Sequence, residues 1–338
     1  MSKQAGALAL AALLAGSTAQ ASDGPDVVRH VEVARALAGS DLRAPLFLCR
    51  ADSGVVVRET LDKGSGQWLE PTKLFDNLFY VGNAFVGVLV VKTSDGLILF
   101  DATASADDAR DHLVPGLKAL GLDPATIRYV IVSHGHWDHF GGAAWLQKTY
   151  GAKIGLSQAD WDLIKTATST PGVAGRETPE RDLVVTDGQA LTLGDTTITL
   201  HVTPGHTPGT VSAIIPAHEG GTTYRLSLFG SVAFPPSLKP TPTTGGLLTY
   251  DRSVLAFAKT SQAAGATAIF NTHVFADGSR QRLDLARARK AGSPNPFLIG
   301  ADATQRYYGV LDACLKAAIA RPHGQDDAAK PTVPPRKD

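Results

Sequence analysis

The chain has 338 residues, 43% of them hydrophobic, which is enough to bury the core of one large domain or two modest ones. Its 32 basic and 32 acidic residues balance, so the formal net charge is zero. Nucleic acids and anionic membranes attract proteins that carry an excess of Lys and Arg. The composition therefore argues against either of them as the main partner.

The first 21 residues have the features of a secretory signal peptide. Lys3 supplies a basic start, residues 5–16 form an apolar segment too short to span a membrane, and Ala19-Gln20-Ala21 fits a cleavage site. The alternative is an Ala-rich cytosolic helix, which would not need such an end. We predict a signal peptide over 1–21, a periplasmic or secreted mature chain, and no membrane attachment after cleavage.

Hydrophobic periodicity and turn residues predict an N-terminal extension over 22–71 that contains some helix. Strands and helices follow it. A helix over 106–120 should be kinked by Pro115, because proline lacks the N–H that an inner helical residue donates. The predicted strands are 77–82, 86–91, 96–101, 128–133 and 153–156, and the other helices are 143–150 and 158–166.

The second half repeats this pattern of strands followed by helices. Its predicted strands are 191–193, 196–202, 211–215, 224–229 and 266–271, and its predicted helices are 253–264, 279–291 and 303–320. The last segment, 321–338, holds many charges and three prolines after Lys330, and we expect it to be disordered. Periodicity alone indicates a mixed α/β protein.

The most informative segment is Ser133-His134-Gly135-His136-Trp137-Asp138-His139, which holds three of the ten histidines of the chain. It follows a predicted buried strand and precedes a helix, which is where open α/β sheets place their ligand sites. Imidazole nitrogens and carboxylate oxygens suit zinc and other borderline divalent metals. The segment predicts a metal site, the alternative being a turn with surface imidazoles.

This run resembles the H-x-H-x-D-H signature of the metallo-β-lactamase superfamily. Further matches are the strand end at Asp101, the loop 203–210 with His206, and His273 after the strand 266–271. Residues 294–297 and the helix after them resemble the third subclass of class B β-lactamases, whose first zinc site is all histidine. The resemblance implies a four-layer αβ/βα sandwich, two β-sheets flanked by helices, with residues 72–320 as the catalytic domain.

The resemblance also implies two zinc ions. Asp101 would orient a metal-bound histidine, and Asp138 would orient the nucleophile or relay a proton besides binding metal. Zinc lowers the pKa of bound water toward ~7, and the hydroxide so formed would attack a carbonyl carbon. The implied ligands are His134, His136 and His206 for the first ion and Asp138, His139 and His273 for the second.

Three departures from the family pattern concern the substrate. Ser231 stands where many hydrolases of the superfamily carry a bridging Asp, and the β-lactamases of the third subclass have Ser there. Ala233 stands where that subclass often has a second Ser for the substrate carboxylate. Trp137 lies among the ligands, where small residues are common. Ser231 and Trp137 are candidate substrate-binding residues, although the Trp137 ring could instead pack in the core.

These features predict a zinc-dependent hydrolase of a small-molecule substrate, and they favour a β-lactamase that opens the β-lactam ring of antibiotics. One alternative is a di-zinc lactonase or esterase, since Ser231 alone does not fix the substrate. Another is a periplasmic zinc-binding protein without activity. The chain lacks the G-x-S-x-G motif of serine hydrolases.

The two cysteines, Cys49 and Cys314, are far apart in sequence and neither belongs to a metal-spaced pair. In an oxidising compartment they could form one disulfide between the N-terminal segment and the C-terminal helix. The alternative is two buried free thiols.

Overall fold

The computed structural model describes residues 23–167, 176–231, 233–234 and 246–321. The segment assigned to a signal peptide, 1–21, lies outside these ranges, and so does the segment assigned to a disordered tail, apart from Arg321. Within the described ranges, each helix falls short of the length and apolar character that crossing a bilayer requires.

Two mixed β-sheets form the centre of the molecule. The first has the strand order β1-β2-β3-β4-β5-β6-β7, and its strands pair antiparallel as far as β4 and parallel from β4 onward. Its strands are β1 Thr72–Lys73, β2 Leu78–Gly82, β3 Gly87–Thr93, β4 Gly96–Phe100, β5 Ile127–Ile131, β6 Lys153–Ser157 and β7 Leu183–Val185.

The second sheet has the order β12-β11-β10-β9-β8, in which only the pair β11 and β12 is parallel. Its strands are β8 Gln189–Leu193, β9 Thr196–Val202, β10 Val211–Glu219, β11 Thr222–Leu228 and β12 Ala268–Phe270. Each sheet therefore combines antiparallel strands with parallel ones, which need a helical crossover.

Helices flank both sheets. In the first half they are α1 Pro25–Ala38, α2 Ser53–Gly64, α3 Ala106–Asp108, α4 Val114–Ala119, α5 Trp137–Phe140, α6 Ala143–Tyr150 and α7 Gln158–Ala167. In the second half they are α8 Gly246–Ala263, α9 Ser279–Arg287 and α10 Ala301–Ala320. A π-helical turn, Ala109–Leu113, joins α3 to α4, and 3₁₀ turns cover Ala44–Cys49 and Pro124–Thr126.

The alternation of side chains along the strands builds the layers, because successive residues of a strand point to opposite faces. Leu89 and Val91 of β3 face a cluster that also contains Leu226 and Leu228 of β11, so this cluster lies between the sheets. Val88 and Val90 face a second cluster with residues of α4, α6 and α7. A third cluster joins the outer face of the second sheet to α1, α8 and α10. The predicted four-layer αβ/βα sandwich is confirmed.

The N-terminal extension packs on the helical layer of the second sheet. Ala34, Ala38 and Leu42 are buried in the same cluster as residues of α8 and α10. A disulfide joins Cys49 to Cys314 of α10, with their Cα atoms 4.2 Å apart. Arg321 closes the same region by donating to the Cys49 carbonyl oxygen at 2.7 Å.

The structure differs from the sequence-based elements in a few places. The predicted helix 106–120 contains the π-helical turn before Pro115, so the chain accommodates the proline in the first turn of α4. Helix α8 begins earlier than predicted and α9 ends earlier. The elements β1, β7 and α5 were not predicted, because segments of two to four residues give a weak pattern. The 12-residue helix α2 was not predicted either, since three of its apolar residues, Val55–Val57, are consecutive and not at helical spacing.

Candidate metal centre

Loops from both halves of the sandwich meet at one end of the sheets. His134 and His136 follow β5, and the short helix α5 presents Asp138 and His139. His206 lies in the loop between β9 and β10, and His273 follows β12. The Val211 amide donates to the Ser133 carbonyl at 2.7 Å and ties the loops of the two halves together.

His134, His136 and His206 form the first of two compact triads. His206 Nε2 lies 3.1 Å from His134 Nε2 and 3.0 Å from His136 Nδ1. A tetrahedral ion with Zn–N bonds of 2.0–2.1 Å separates its nitrogen ligands by about 3.3–3.4 Å. The three nitrogens therefore converge with nearly the spacing that one ion requires.

Asp138, His139 and His273 form the second triad. His139 Nε2 lies 3.0 Å from His273 Nε2. Asp138 Oδ2 lies 3.3 Å from the first of these nitrogens and 3.5 Å from the second. Each triad therefore offers three atoms that could hold a metal ion, all within 4.8 Å of one another.

Backbone carbonyls fix the tautomer of three of these rings. The Nδ1 atoms of His134, His206 and His273 lie 3.0, 2.8 and 3.0 Å from the carbonyl oxygens of Gly230, Ala233 and Phe85. A carbonyl oxygen only accepts, so each Nδ1 must carry the hydrogen. The Nε2 lone pairs are left to face the centre of the triads.

The protonation states suit a cation. Burial is the largest cause that lowers the pKa of His134 and His206 well below the ordinary value, and those of His136 and His273 to about 4. Neutral imidazoles with lone pairs 3.0–3.1 Å apart repel each other unless a positive charge lies between them. The donor set of the first triad therefore fits a divalent metal ion.

Asp138 gives the second triad a negative charge. Burial lowers the pKa of His139, but the charges of Asp138 and Asp101 outweigh this effect and raise that pKa to about 10. Burial likewise works against ionisation of Asp138, yet the charge of His139 lowers its pKa below the usual range. An environment that binds a proton this strongly on His139 also favours a cation at the same nitrogen.

Asp101, the residue expected to orient a histidine, contacts three groups of the ligand segment. Its Oδ2 accepts from His139 Nδ1 at 2.7 Å and from Ser133 Oγ at 3.1 Å, while Oδ1 accepts the Ser133 amide at 2.7 Å. It is fully buried and has a φ of 71°, in the left-handed region that Asp tolerates better than most residues. The carboxylate thus fixes the start of the loop and one ring.

The two candidate substrate-binding residues lie in different surroundings. Ser231 is buried, and its hydroxyl is 2.5 Å from the phenol oxygen of Tyr250. Ser231 directly follows Gly230, whose carbonyl oxygen accepts a hydrogen bond from His134 Nδ1. Trp137 is half-buried, packs on the helical side of the first sheet, and is stacked under the Arg176 guanidinium at 4.4 Å. Trp137 therefore contributes both to the core and to the surface beside the ligands.

The open side of the centre lies at residues 136–138. His136 is the half-exposed ligand, and the other five are buried. Phe85 and Phe275 form an aromatic wall on the other side, with ring centroids 4.5 and 5.7 Å from that of His273.

Two residues of the site were not predicted. Arg176 donates to the Ala104 carbonyl and feels the charge of Asp138, so it lies at the open side. Asp160, near the start of α7, contacts the loops that carry His134, His136 and His206. The signal for Arg176 was its position after a sequence segment that contains Gly and Pro, and the signal for Asp160 was a carboxylate next to Trp161, on the apolar side of an amphipathic helix.

Residues 81–220 match the model of the metallo-beta-lactamase superfamily. The structure is similar to BJP-1, a subclass B3 metallo-β-lactamase of Bradyrhizobium japonicum, with a TM-score of 0.61 and 26% identity over 75% of this chain and 94% of that one. It also resembles FEZ-1 from Legionella gormanii, with a TM-score of 0.64 and 21% identity over 78% of this chain and 98% of that one.

Curated sequences give shorter matches. A hydroxyacylglutathione hydrolase of a Methylobacterium species is 28% identical over 113 residues, which are 33% of this chain and 39% of that protein. The chain spans between 37% and 66% of the length of the curated relatives it matches. The matched segment, the sandwich and the paired His and Asp ligand groups lead to one conclusion: the chain contains a domain of the metallo-β-lactamase superfamily.

Proposed function

We propose that the protein is a di-zinc hydrolase that opens the ring of β-lactams. The observation that carries the proposal is the pair of adjacent triads, of which the first is all histidine. Two further features support the β-lactam substrate: Ser231 stands where other hydrolases of the superfamily have an acid, and BJP-1, a β-lactamase, is 26% identical over 94% of its chain.

Each triad would hold one zinc ion with three protein ligands, which leaves a coordination position open for water or substrate. When bound, zinc acts as a Lewis acid on a carbonyl oxygen and lowers the pKa of bound water to about 7. A carboxylate that binds a metal ion is ionised, so Asp138 could hold zinc through one oxygen while the other orients the attacking water or relays its proton.

In this proposal Arg176 binds the substrate carboxylate. Its guanidinium stacks on Trp137, between two ligands in sequence, and is close enough to Asp138 to feel its charge. A guanidinium carries five N–H donors, so it can hold the Ala104 carbonyl and a carboxylate together. It would take the role of the serine that Ala233 replaces, while Phe275 and Trp137 contact the apolar parts of the substrate.

We further propose that the protein works outside the cytosol. The Cys49–Cys314 disulfide is typical of an oxidising compartment. The signal-like segment 1–21 supports the same location. A β-lactam-hydrolysing enzyme in the periplasm would meet its substrate before the cell-wall enzymes do.

The test is hydrolysis of a penicillin, a cephalosporin and a carbapenem by the purified mature protein, with added zinc and with a chelator. We expect chelator-sensitive turnover with kcat/KM of ~10⁴ M⁻¹s⁻¹ or more. His136→Ala should abolish it, and His218→Ala, at a half-exposed histidine on β10 that bonds Thr223, should not.

Lactones, esters and thioesters are assayed in parallel, because one relative of the chain is a hydroxyacylglutathione hydrolase. Turnover of one of these, with none of the three β-lactams by a folded protein that binds two zinc ions, would contradict the β-lactamase proposal. It would leave the di-zinc hydrolase in place. If the zinc-loaded protein hydrolyses none of these substrates, the result would indicate a zinc-binding protein without activity.

A further inference from the structure

Asp160 joins the two loops that carry the first triad. Its Oδ2 accepts the Gly135 amide at 2.8 Å and the Thr207 hydroxyl at 2.7 Å, and its Oδ1 accepts the Gly209 amide at 2.9 Å. Gly135 lies between His134 and His136, and Thr207 follows His206 directly. One carboxylate therefore contacts both loops, one residue away from all three ligands.

The surroundings of Asp160 are built for an ionised carboxylate. The residue is 1% exposed. Burial raises its pKa to about 6, while the bonds from Thr207, Gly135 and Gly209 act in the opposite direction. Three donors converge on two oxygens that only accept, so the charge is held by hydrogen bonds and not by a cationic side chain.

The loop with His206 approaches α7 very closely. A Cβ atom added to Gly209 would lie 1.9 Å from Ser157 Oγ and 2.8 Å from Asp160 Oδ1. A Cβ added to Gly135 would lie 3.0 Å from Ile164 and 3.3 Å from the Asp160 carbonyl oxygen. Glycine at both positions lets the two backbones come within hydrogen-bonding distance of the carboxylate.

The second triad is held by other groups. Asp101 fixes His139, and the Phe85 carbonyl fixes His273. The contacts of the Asp160 carboxylate, by contrast, go to the loops of His134, His136 and His206. The Ser133 hydroxyl lies 3.2 Å from His134 Nδ1 and 3.3 Å from His139 Nδ1, so the two triads share that contact but not the Asp160 carboxylate.

We propose that Asp160 is a positioning residue that sets the distance between the loops of the first triad, and so determines the metal affinity of that triad alone. The inference rests on the proposed metal centre. Asn at this position keeps the shape but puts an NH₂ group opposite a backbone N–H. The Gly135 or Gly209 amide then loses its acceptor, and the loop that carries it moves away.

The test isolates each triad. His273→Ala weakens the second triad and leaves the first complete, and His206→Ala does the reverse. Asp160→Asn is added to each background, and the affinity of the metal-free protein for Co²⁺ is measured by competition with a chelating dye and by the d–d absorption. Removal of an outer partner lowers metal affinity about 10–100-fold. We expect that loss in the His273→Ala background and less than a threefold change in the His206→Ala background.

The matched control is Asp162→Asn, two residues further along α7, whose exposed carboxylate contacts Gln158 and Lys165. It should change neither affinity. If Asp160→Asn does not fold, Thr207→Val and Thr207→Ser are compared, since only serine keeps the hydroxyl that Asp160 accepts. Thr207→Val should weaken Co²⁺ binding in the His273→Ala background, and Thr207→Ser should leave that binding unchanged.

Equal losses in both backgrounds, or no loss in either, would overturn the positioning role. If the protein without any of these substitutions binds no Co²⁺, the metal centre itself fails, and Asp160 has nothing to position. The circular dichroism spectrum of each metal-free variant separates a general loss of structure from a loss confined to one triad.

Discussion

Asp101 Oδ2 and His139 Nδ1 lie 2.7 Å apart, both fully buried, in a hydrogen bond between the end of β4 and the helix α5. Asp101 makes this contact from a left-handed backbone conformation, with φ of 71°. Such conformations persist where the surrounding structure holds them in place, often at functional sites. Here the Ser133 amide and hydroxyl hold the same carboxylate.

We predict that Asp101→Asn weakens metal binding at the second triad about 10–100-fold, as changes to an outer partner of a metal-bound histidine do. Asn tolerates the left-handed conformation as well as Asp does, so the backbone is not the cause. The loss comes from the charge that favours a cation on His139. Metal affinity in the His206→Ala background and turnover of the single variant measure it.

Asp95→Asn is the control, because this carboxylate is exposed in the turn before β4 and lies away from the ligands. Unchanged Co²⁺ affinity in Asp101→Asn would mean that Asp101 fixes the fold of the loop and not the basicity of His139. A lower free energy of unfolding without a change in affinity would point the same way.

Arg176→Ala should raise KM for β-lactams by about tenfold, with a smaller effect on kcat, because a surface-accessible pair with a carboxylate contributes binding more than transition-state stabilisation. Arg176→Lys should recover only part of the loss, since an ammonium group does not form the bidentate contact of a guanidinium. Steady-state kinetics measure both variants.

Lys165→Ala is a suitable control for Arg176, because this exposed cation at the end of α7 pairs with Asp162. A substrate analogue in which the carboxylate is converted to an ester should have the same KM with Arg176→Ala as with the parent protein. An unchanged KM for the acid in Arg176→Ala would assign the guanidinium to the packing of Trp137 and Ala104 instead.

The sequence predicts the parts of the molecule whose signal is local. The run from His134 to His139 indicates a metal site without reference to distant residues, and the continuous apolar runs of β3 and β4 correctly indicate strands. Asp160 could not be assigned this way, because its partners are 25 and 49 residues away. Arg176 could not be assigned to the site either, because its contact with the Trp137 ring joins residues that are distant in sequence.

The disulfide joins residues 265 positions apart, so it restricts the unfolded chain strongly. Cys49→Ser with Cys314→Ser should lower the free energy of unfolding by about 2–4 kcal/mol. Urea denaturation measures the loss, and dithiothreitol should lower the stability of the parent protein but not that of the double variant. Two reactive thiols in the unreduced, unfolded parent protein would contradict the presence of the disulfide.

The last prediction concerns the pH dependence of stability. Burial and the nearby Asp312 carboxylate raise the pKa of Asp251 to about 6, and Lys316 and Arg252 only partly offset this. An acid whose pKa is higher in the folded protein binds protons more tightly there. Its stabilising contribution is complete below the unfolded pKa of 3.8 and is lost as the pH rises through about 6.

Asp251→Asn removes this titration, so it should leave stability nearly unchanged at about pH 3, below the unfolded pKa, and increase it at pH 8. The gain should be about 1 kcal/mol, since solvent screens a half-buried pair. Urea denaturation at the two pH values measures it, with Asp302→Asn, an exposed partner of Arg306, as the control. A gain of equal size at pH 3 and pH 8 would show that the substitution acts through packing and not through the proton, because only the ionised carboxyl is unfavourable beside Asp312.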